Sequence, residues 1–273
     1  VPNLQNLPPM LRHAFRPSPG NSFVIADYTQ LELRVLAHMA KSHSMIWKLE
    51  KDGDYHSEVA AEMFAHVAKA VSSGECVVDS TAGDLPTVKQ LFGKERTAAK
   101  AINFGIIFGK TAVSLAEDLG ISQMEAEDLI EAWHKSKPEV KKWIDGVRRE
   151  ARTSMRSVSL LGRWRQLPLI NSDVYCWRSE RAAVNFGIQG SAADIVLGAM
   201  LRLWRDKRLA DHGYRIVMQI HDEFVLEGPT QHADEVCKVV SEIMSDPFAE
   251  HSKHFKLKVP LTVDVHAADC FSK

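Results

Sequence analysis

The segment QIHDEFV at 219–225 is the feature that most constrains the fold of this chain. The apolar runs Arg215 to Ile220 and Phe224 to Glu227 lie on either side of its acidic centre, and they predict two paired strands joined by a short connection that contains His221-Asp222. Such hairpins favour turns with positive φ, which Asn-Gly or Gly-X provide, so His221-Asp222 is poor turn chemistry. A local rule broken in this way is more typical of a functional site than of chance. On this segment alone, a metal site and an ordinary polar turn are equally good interpretations.

Another carboxylate lies where a predicted strand gives way to a predicted helix. The apolar run 22–26 predicts a strand that ends at Asp27, and from Gln30 onward apolar residues recur with a helical period. A single Asp at such a junction is more often a helix N-cap than a metal ligand. Asp27 and Asp222 together, however, suggest a pair of carboxylates from separate strands. Such a pair suits phosphoryl transfer by two cations about 3.5–4 Å apart.

Two cations and two aromatic rings recur every four residues in KERTAAKAINFGIIFG (94–109): Arg96, Lys100, Phe104 and Phe108. Because four residues advance about 400° around a helix, these side chains form one slowly drifting stripe. Arg and Lys can hold a triphosphate, and a ring can stack on a base or sugar. The alternative is an amphipathic helix with a solvated basic edge. Gly105 and Gly109 count against that alternative, because each costs a helix interior about 1 kcal/mol and permits close backbone approach.

These segments resemble the three signature motifs of family A DNA polymerases, the bacterial DNA polymerase I group. The motifs are DYTQLELRVLAH (27–38), RTAAKAINFGIIFG (96–109) and QIHDEFVLE (219–227). Further blocks match in the expected order, and the resemblance covers essentially the whole chain: PNLQNLP (2–8), DYH (54–56), LGRWRQLP (161–168) and ERAAVNFGIQGSAADI (180–195). FGKTAVSLA (108–116) and EGP (227–229) further resemble the plant and protist organellar branch, which implies a mitochondrial or plastid location.

The resemblance implies template-directed addition of dNTPs to the 3′-hydroxyl of a DNA primer, in replication or repair. It implies that Asp27 and Asp222 hold two Mg²⁺ ions, with the Tyr28 carbonyl as a further ligand and Glu223 assisting near the metals. Lys100 would join Asp27 and Asp222 in catalysis. The residues implied to bind nucleotide are Tyr28, Gln30, Glu32, His56, Arg96, Lys100, Phe104 and Phe108.

Glu32 matches the family's steric gate, which leaves no room for a ribose 2′-hydroxyl, and Phe104 matches the ring against the incoming sugar. The residues implied to contact primer and template are Asn3, Gln5, Arg181, Asn185, Gln189 and His221. Phe108 departs from the pattern, because the family commonly has Tyr at this position. The expected partners are primer–template DNA, dNTPs and the rest of a parent polymerase, with a thumb and any exonuclease outside this chain, and the expected state is a monomer.

Composition is compatible with this interpretation. With 273 residues, 45% of them apolar, the chain can bury a substantial core, and no run of about 18 uncharged apolar residues predicts a membrane span. The Val-Pro-Asn start is neither a signal nor a transit peptide, and the four scattered cysteines indicate reduced thiols in an intracellular, non-secretory compartment.

The charge is unevenly distributed along the chain. The formal net charge is −1, whereas nucleic-acid-binding proteins usually carry a basic excess. Residues 134–165 nevertheless contain ten Lys or Arg against three acids, a local excess of seven. This segment is expected to neutralise phosphates over several nucleotides; the alternative is an ordinary solvated helix face.

The order of predicted elements indicates an α+β fold, a polymerase palm with an antiparallel sheet and an inserted, mainly helical fingers subdomain. The palm is assigned to 1–33 and 178–273 and the fingers to 34–177, with an insertion near 71–84. Within these, we expect a continuous helix over 55–68, a small hairpin over 157–167 and a last strand over 259–265.

Two other functions share part of this evidence. A single-subunit-type RNA polymerase has related palm chemistry, but Glu32 argues against it, because such enzymes need space at that position. A catalytically silent DNA-binding module would not need Asp27, Asp222, Arg96 and Lys100 together.

Overall fold

The computed structural model describes residues 8–51, 53–79, 85–251 and 255–271. Within these ranges the helices are α1 (Pro9–Arg12), α2 (Leu31–Ala40), α3 (His43–Glu50), α4 (Tyr55–Met63), α5 (Ala65–Ser72), α6 (Val88–Leu91), α7 (Gly93–Ile107), α8 (Ala112–Leu119), α9 (Gln123–Ser136), α10 (Pro138–Ser154), α11 (Cys176–Arg205), α12 (Lys207–Asp211) and α13 (Ala233–Ser245). The strands are β1 (Asn21–Tyr28), β2 (Arg156–Val158), β3 (Trp164–Gln166), β4 (Arg215–Ile220), β5 (Glu223–Pro229) and β6 (Val263–Ala268). The predicted α+β class is confirmed.

The chain divides into two compact units. One comprises the described residues of Val1–Val35 and Ser191–Lys273, and the other those of Leu36–Gly190. The sequence-based division places its boundaries at 33/34 and 177/178, whereas the units divide at 35/36 and 190/191. The second boundary falls inside the long helix α11, where a continuous helical pattern carries no signal of a division.

The first unit is built on an antiparallel sheet with the strand order β4–β5–β1–β6. The two central strands, β5 and β1, are buried on both faces, which is why their sequences are nearly continuous apolar runs. On one face Phe23, Ile25 and Val225 form a core cluster with Ile220 and Phe271. Helix α13 packs against β1 and β6. The predicted metal hairpin therefore lies within a rigid sheet.

The last strand begins later than predicted. The expected strand over 259–265 is observed as β6, Val263–Ala268. Val259 and Leu261 are buried, but Pro260 has no N–H to give to a ladder, and its carbonyl accepts a bond from Arg34 Nη1 at 2.7 Å. Arg34 is itself 2% exposed, and its Nε donates to the Thr29 carbonyl at 2.9 Å. The residues before β6 therefore contact the buried guanidinium of Arg34 before the chain joins the sheet.

The second unit is mainly helical. The helix expected over 55–68 is interrupted at Phe64, whose extended backbone (ψ 110°) separates α4 from α5. The predicted hairpin is confirmed as β2 and β3, with Gly162 at φ +84° between them. In the proposed insertion near 71–84, α5 extends to Ser72 and residues 80–84 lie outside the described residues.

Helix α11 has the length and composition of a membrane-spanning helix, although the sequence predicts no such span. Of its most apolar 18-residue stretch, 56% is buried inside the structure, which is typical of a core helix. Within the part of the chain that the structure describes, none of the four cysteines forms a disulfide, and Cys76 is buried.

Candidate active site

Three carboxylates form a row across one end of the sheet. Asp27 on β1 is the register partner of Glu223 on β5 and of Asp264 on β6. Directly opposed residues of an antiparallel pair share a face, and alternation puts this row on the face that carries Ile25 and Val225. The apolar core of that face thus ends in acidic side chains. Glu223 is almost fully buried (3% exposed).

Asp222 joins this row through the turn between β4 and β5. The turn consists of His221 and Asp222, and the Tyr28 N–H donates to the Asp222 carbonyl at 3.4 Å. His221 has φ +59°, so the two-residue turn does adopt the positive φ that its sequence favours poorly. A non-glycine residue in this region is a feature typical of functional sites.

The His221 ring lies between two carboxylates. Its Nδ1 is 3.0 Å from Asp222 Oδ1, and its Nε2 is 3.7 Å from Glu32 Oε1. The hydrogen bond with Asp222 raises the pKa of His221, the charges of Asp222, Glu32 and Asp27 add to this, and burial opposes it. Burial raises the pKa of Glu32, and Asp222 raises it further, against the effect of His221. Glu32 therefore lies in the same acidic cluster as the predicted ligands.

This donor set fits a hard divalent cation. Like charges directly opposite one another destabilise a sheet, and Asp27 faces a carboxylate on both sides. Carboxylate oxygens are the ligands that Mg²⁺ prefers, and a cation among them would relieve the repulsion. Asp27, Asp222 and Glu223 are the residues that could hold it.

The turn from β1 into α2 is also strained. Gln30 has φ +55°, and its carbonyl accepts from the Arg34 N–H at 3.1 Å to begin the helix. The Tyr28 hydroxyl donates to the Met244 carbonyl at 2.8 Å, and burial together with the Asp222 charge raises its pKa. This turn fixes Asp27, Tyr28 and Glu32 relative to one another within the first unit.

In the second unit, α7 carries most of the predicted stripe. Arg96, Lys100 and Phe104 lie within the helix, but the helix ends at Ile107, so Phe108 is its C-cap and not its last helical residue. The Phe104 and Phe108 rings remain stacked, with centroids 5.9 Å apart and planes 12° apart. Lys100 is exposed. The stripe exists, and its final member, which lies just beyond the helix, is held by ring stacking.

Arg96 is held by a bidentate ion pair with Asp54, the N-cap of α4. Its Nε is 2.5 Å from Asp54 Oδ2 and its Nη2 is 3.1 Å from Oδ1. Burial acts to raise the pKa of Asp54, but the bonds from Arg96 and Ser57 outweigh it and the pKa is lowered. The planar fork of Arg96 is thereby oriented, and its remaining N–H groups are not used by Asp54.

His56 is buried behind the stripe. Its Nδ1 is 3.1 Å from Asn103 Nδ2, and its ring lies 5.7 Å from the Phe104 ring centroid. Asn103 Oδ1 accepts in turn from Trp133 Nε1 at 2.7 Å. Burial, then Arg96 and Lys100, lower the pKa of His56 to about 4, against the opposing effect of Asp54.

Gly109 ends α7 in the left-handed region, at φ +66°. Gly109 N–H donates to the Ile106 carbonyl at 3.1 Å and Lys110 N–H to the Gly105 carbonyl at 2.7 Å, which is the Schellman pattern. A Cβ at Gly109 would overlap Cγ of Arg181, whereas one at Gly105 would meet only ordinary contacts. The predicted close approach is confirmed at Gly109.

The DNA contacts predicted on α11 lie on one face of that helix. Arg181, Asn185 and Gln189 are spaced by four residues, and the Arg181 guanidinium lies 5.7 Å from the Trp177 ring centroid. Asn185 Oδ1 is buried without a hydrogen-bond partner among the described residues. Asn3 and Gln5 lie outside the described residues.

The basic segment 134–165 is largely exposed, but not uniformly. Lys137 is buried and pairs with Glu62 at 3.1 Å, and Arg163 donates to the Gly190 carbonyl at 2.6 Å. Arg152 pairs with Glu180 at 2.5 Å. The exposed members are Lys135, Lys141, Lys142, Arg149, Arg152, Arg156, Arg163 and Arg165.

The structure brings together Asp27, Asp222, Glu223, Glu32 and His221 in the first unit, as described above. In the second unit it groups Arg96, His56, Phe104 and Phe108. The roles of Asp264, Asp54, Asn103 and Trp133 were not predicted from the sequence. An Asn among the buried positions of an otherwise apolar helix face is a signal that could have identified Asn103.

Comparisons with known proteins agree with this architecture. A sequence profile described as DNA polymerase family A matches residues 1–273. DNA polymerase I B, chloroplastic/mitochondrial, of Arabidopsis thaliana is 40% identical over 279 residues, covering 98% of this chain and 27% of the relative. DNA polymerase I of Geobacillus stearothermophilus is 38% identical over 277 residues, covering 97% of this chain and 28% of the relative.

A solved structure is similar over nearly the whole chain. It is the POL domain of Pol1 from M. smegmatis in complex with DNA primer-template and dNTP, with a TM-score of 0.82 and 31% identity, covering 99% of this chain and 44% of that one. The fold is therefore that of a polymerase domain. The chain belongs to DNA polymerase family A. It spans about a quarter of the length of the curated relatives it matches.

Proposed function

We propose that the protein containing this chain is a DNA-directed DNA polymerase that adds dNTPs to a primer 3′-hydroxyl by nucleotidyl transfer. The observation that carries the proposal is the acidic end of the sheet, where Asp27, Glu223 and the turn residue Asp222 meet within one unit. Family membership and the primer-template and dNTP named for the M. smegmatis structure support the choice of substrate. The process served is replication or repair of DNA.

Asp27 and Asp222 are the proposed ligands of two Mg²⁺ ions, with Glu223 and the Tyr28 carbonyl assisting. When bound, such ions lower the pKa of the attacking hydroxyl and neutralise the triphosphate. The sheet contributes rigidity, because β1 and β5 hold Asp27 and Glu223 more precisely than loops would, and the turn that carries Asp222 is only two residues long. His221 pairs with Asp222 and Glu32 and so orients both carboxylates, in addition to its proposed contact with primer–template.

In the second unit, Arg96, Lys100 and His56 are proposed to bind the triphosphate. Arg96 provides a fork already oriented by Asp54, and Lys100 an exposed point charge suited to the charge that grows on the leaving phosphate. Phe104 and Phe108 provide a stacked pair of rings for the sugar and base, while Gln30 and Glu32 are proposed nucleotide contacts in the first unit.

Arg181, Asn185 and Gln189, with Asn3 and Gln5, are proposed to contact primer and template. The proposed partners are the remaining domains of the polymerase, and the proposed state is a monomer. The names of the plant relatives, which are chloroplastic or mitochondrial, support a location in one of these organelles.

Asp27→Asn and Asp222→Asn in the full-length protein test the proposal. Each variant should reduce primer extension with dNTPs by far more than tenfold, while primer–template binding stays nearly unchanged, because these carboxylates bind metal and not DNA. Asp211→Asn, an exposed change in the same unit, is the control and should extend primers normally. Extension by either site variant within about tenfold of wild type, roughly 1.4 kcal/mol of barrier, would rule out the metal assignment.

The same assay separates the two rival functions. Ready extension with NTPs by the unmutated protein would favour a single-subunit-type RNA polymerase, and binding without any extension would favour a silent DNA-binding module.

A further inference from the structure

A chain of three hydrogen-bonded side chains, one on each of three helices of the second unit, ends at His56. Trp133 on α9 donates Nε1–H to Asn103 Oδ1 at 2.7 Å, and Asn103 on α7 lies with Nδ2 3.1 Å from Nδ1 of His56 on α4. Trp133 and Asn103 are fully buried and His56 is 4% exposed. A buried polar chain of this kind is stable only when its donors and acceptors are matched, so its hydrogen positions are constrained.

Hydrogen-bond chemistry permits one arrangement. The indole N–H can only donate, so the Asn103 atom facing it must be the carbonyl oxygen. The amide nitrogen then faces His56, and because it too is a donor, His56 Nδ1 must accept. The ring proton is therefore on Nε2 and the imidazole is neutral. Protonation at Nδ1 would set one N–H against another in a buried site.

Burial and the nearby cations act in the same direction. Asp54, the N-cap of α4, favours the imidazolium, but burial together with Arg96 and Lys100 on α7 outweighs it. On the side of α9, the Lys137 ammonium lies 5.2 Å from the Trp133 ring centroid and pairs with Glu62. No described side chain accepts a hydrogen bond from His56 Nε2.

We propose that Asn103 and Trp133 are positioning residues that fix His56 in its neutral form protonated on Nε2, so that Nε2–H donates to the phosphates of the incoming nucleotide. The inference rests on the proposed function, which assigns His56 to the triphosphate. A donor fixed in this way keeps its hydrogen-bonding role throughout the physiological pH range, whereas an ordinary histidine changes charge within it.

Asn103→Asp in the full-length protein tests the proposal, because it keeps the side-chain volume and reverses one hydrogen bond. A carboxylate at position 103 accepts from both Trp133 and His56 Nδ1–H, and it raises the pKa of His56. Below that pKa the imidazolium still donates from Nε2. Above it the proton stays on Nδ1, and Nε2 presents a lone pair to the phosphate.

The dissociation constant for dNTP, from single-turnover incorporation between about pH 6 and 8.5, should therefore separate the variant from wild type. At the alkaline end the variant should bind dNTP at least about tenfold more weakly, the loss expected for one hydrogen bond to a charged group. The deficit should shrink as the pH falls. Asn171→Asp, an exposed change in the same unit, should show no such trend.

A direct measurement on the wild-type protein covers the case in which the variant does not fold. Nitrogen-15 spectra of the histidine rings should show His56 neutral with the proton on Nε2 at pH 7, and dNTP added with primer–template should shift the Nε2 signal. A proton on Nδ1, or an imidazolium, would overturn the inference even with primer extension intact. If the weaker dNTP binding of Asn103→Asp did not change with pH, the inference would also be wrong, and Asn103 would contribute only to packing. Loss of the proposed function itself would appear differently, as failure of the wild-type protein to extend primers.

Discussion

At the scale of single residues, Glu32 shows how a side chain is kept at a position that costs stability. Its side chain is 13% exposed, and burial together with Asp222 raises its pKa. Burying a carboxyl near another acid is unfavourable, and the facing His221 offsets this only in part. A role in stability alone would not explain a carboxyl group at a position where its charge is disfavoured.

Replacing Glu32 tests its proposed role as the gate against ribonucleotides. Glu32→Ala should raise NTP use relative to dNTP use by at least about tenfold, equivalent to 1.4 kcal/mol of relieved clash, because it removes volume near the predicted sugar site. Glu32→Gln is the matched control: it keeps the volume and removes the charge, so discrimination should persist. The measurement is competitive incorporation of dNTP and NTP. A parallel loss for both nucleotides in Glu32→Ala would assign Glu32 to folding or general catalysis.

At the scale of elements, the end of α7 depends on a glycine for two separable reasons. Gly109 has φ +66°, and an added Cβ would also overlap Arg181. Gly120, which follows α8, has the same φ of +66° but nothing within 4 Å of an added Cβ. Gly120 is therefore a matched control for Gly109: the backbone conformation is the same, but an added Cβ would overlap a neighbour only at Gly109.

Both Gly→Ala variants should lose roughly 1–2 kcal/mol of unfolding free energy from the left-handed backbone. Gly109→Ala should lose more, and it should weaken primer–template binding because Arg181 has to move. Denaturant unfolding and DNA-binding titrations measure the two effects. Equal losses in both variants, with DNA binding unchanged, would show that the approach of Gly109 to Arg181 has no role in binding.

The sequence predicted elements wherever a local pattern decides the structure. β4 and β5 follow from their apolar runs, and the stripe on α7 follows from its four-residue period. The late start of β6 was not predicted, because Pro260 and the buried Arg34 meet only in the folded unit. The hydrogen bonds of Asn103 join residues 47 and 30 positions away, and no local pattern encodes such pairs.

At the scale of the whole molecule, the net charge of −1 conceals a segregation of charge. The first unit concentrates carboxylates at the end of its sheet, as a metal site requires, and the second carries the basic segment 134–165 with its local excess of seven. Overall neutrality is therefore compatible with binding a polyanion, because phosphates respond to the nearby field and charges beyond about 10 Å are screened at moderate salt.

Salt dependence of DNA binding tests this interpretation. Each Lys that contacts a phosphate contributes about 0.9 to the slope of log affinity against log salt concentration, through counterion release. Lys141→Gln combined with Lys142→Gln, both exposed on α10, should reduce the steepness of that slope by about 1 to 2. Lys207→Gln combined with Lys238→Gln removes the same charge from exposed positions of the other unit and should leave the slope unchanged. Anisotropy titrations of primer–template between about 50 and 200 mM salt measure the slopes.

If the two double variants behave alike, only total charge matters and the segment is a solvated helix face. If only the first flattens the slope, this segment carries the phosphate contacts.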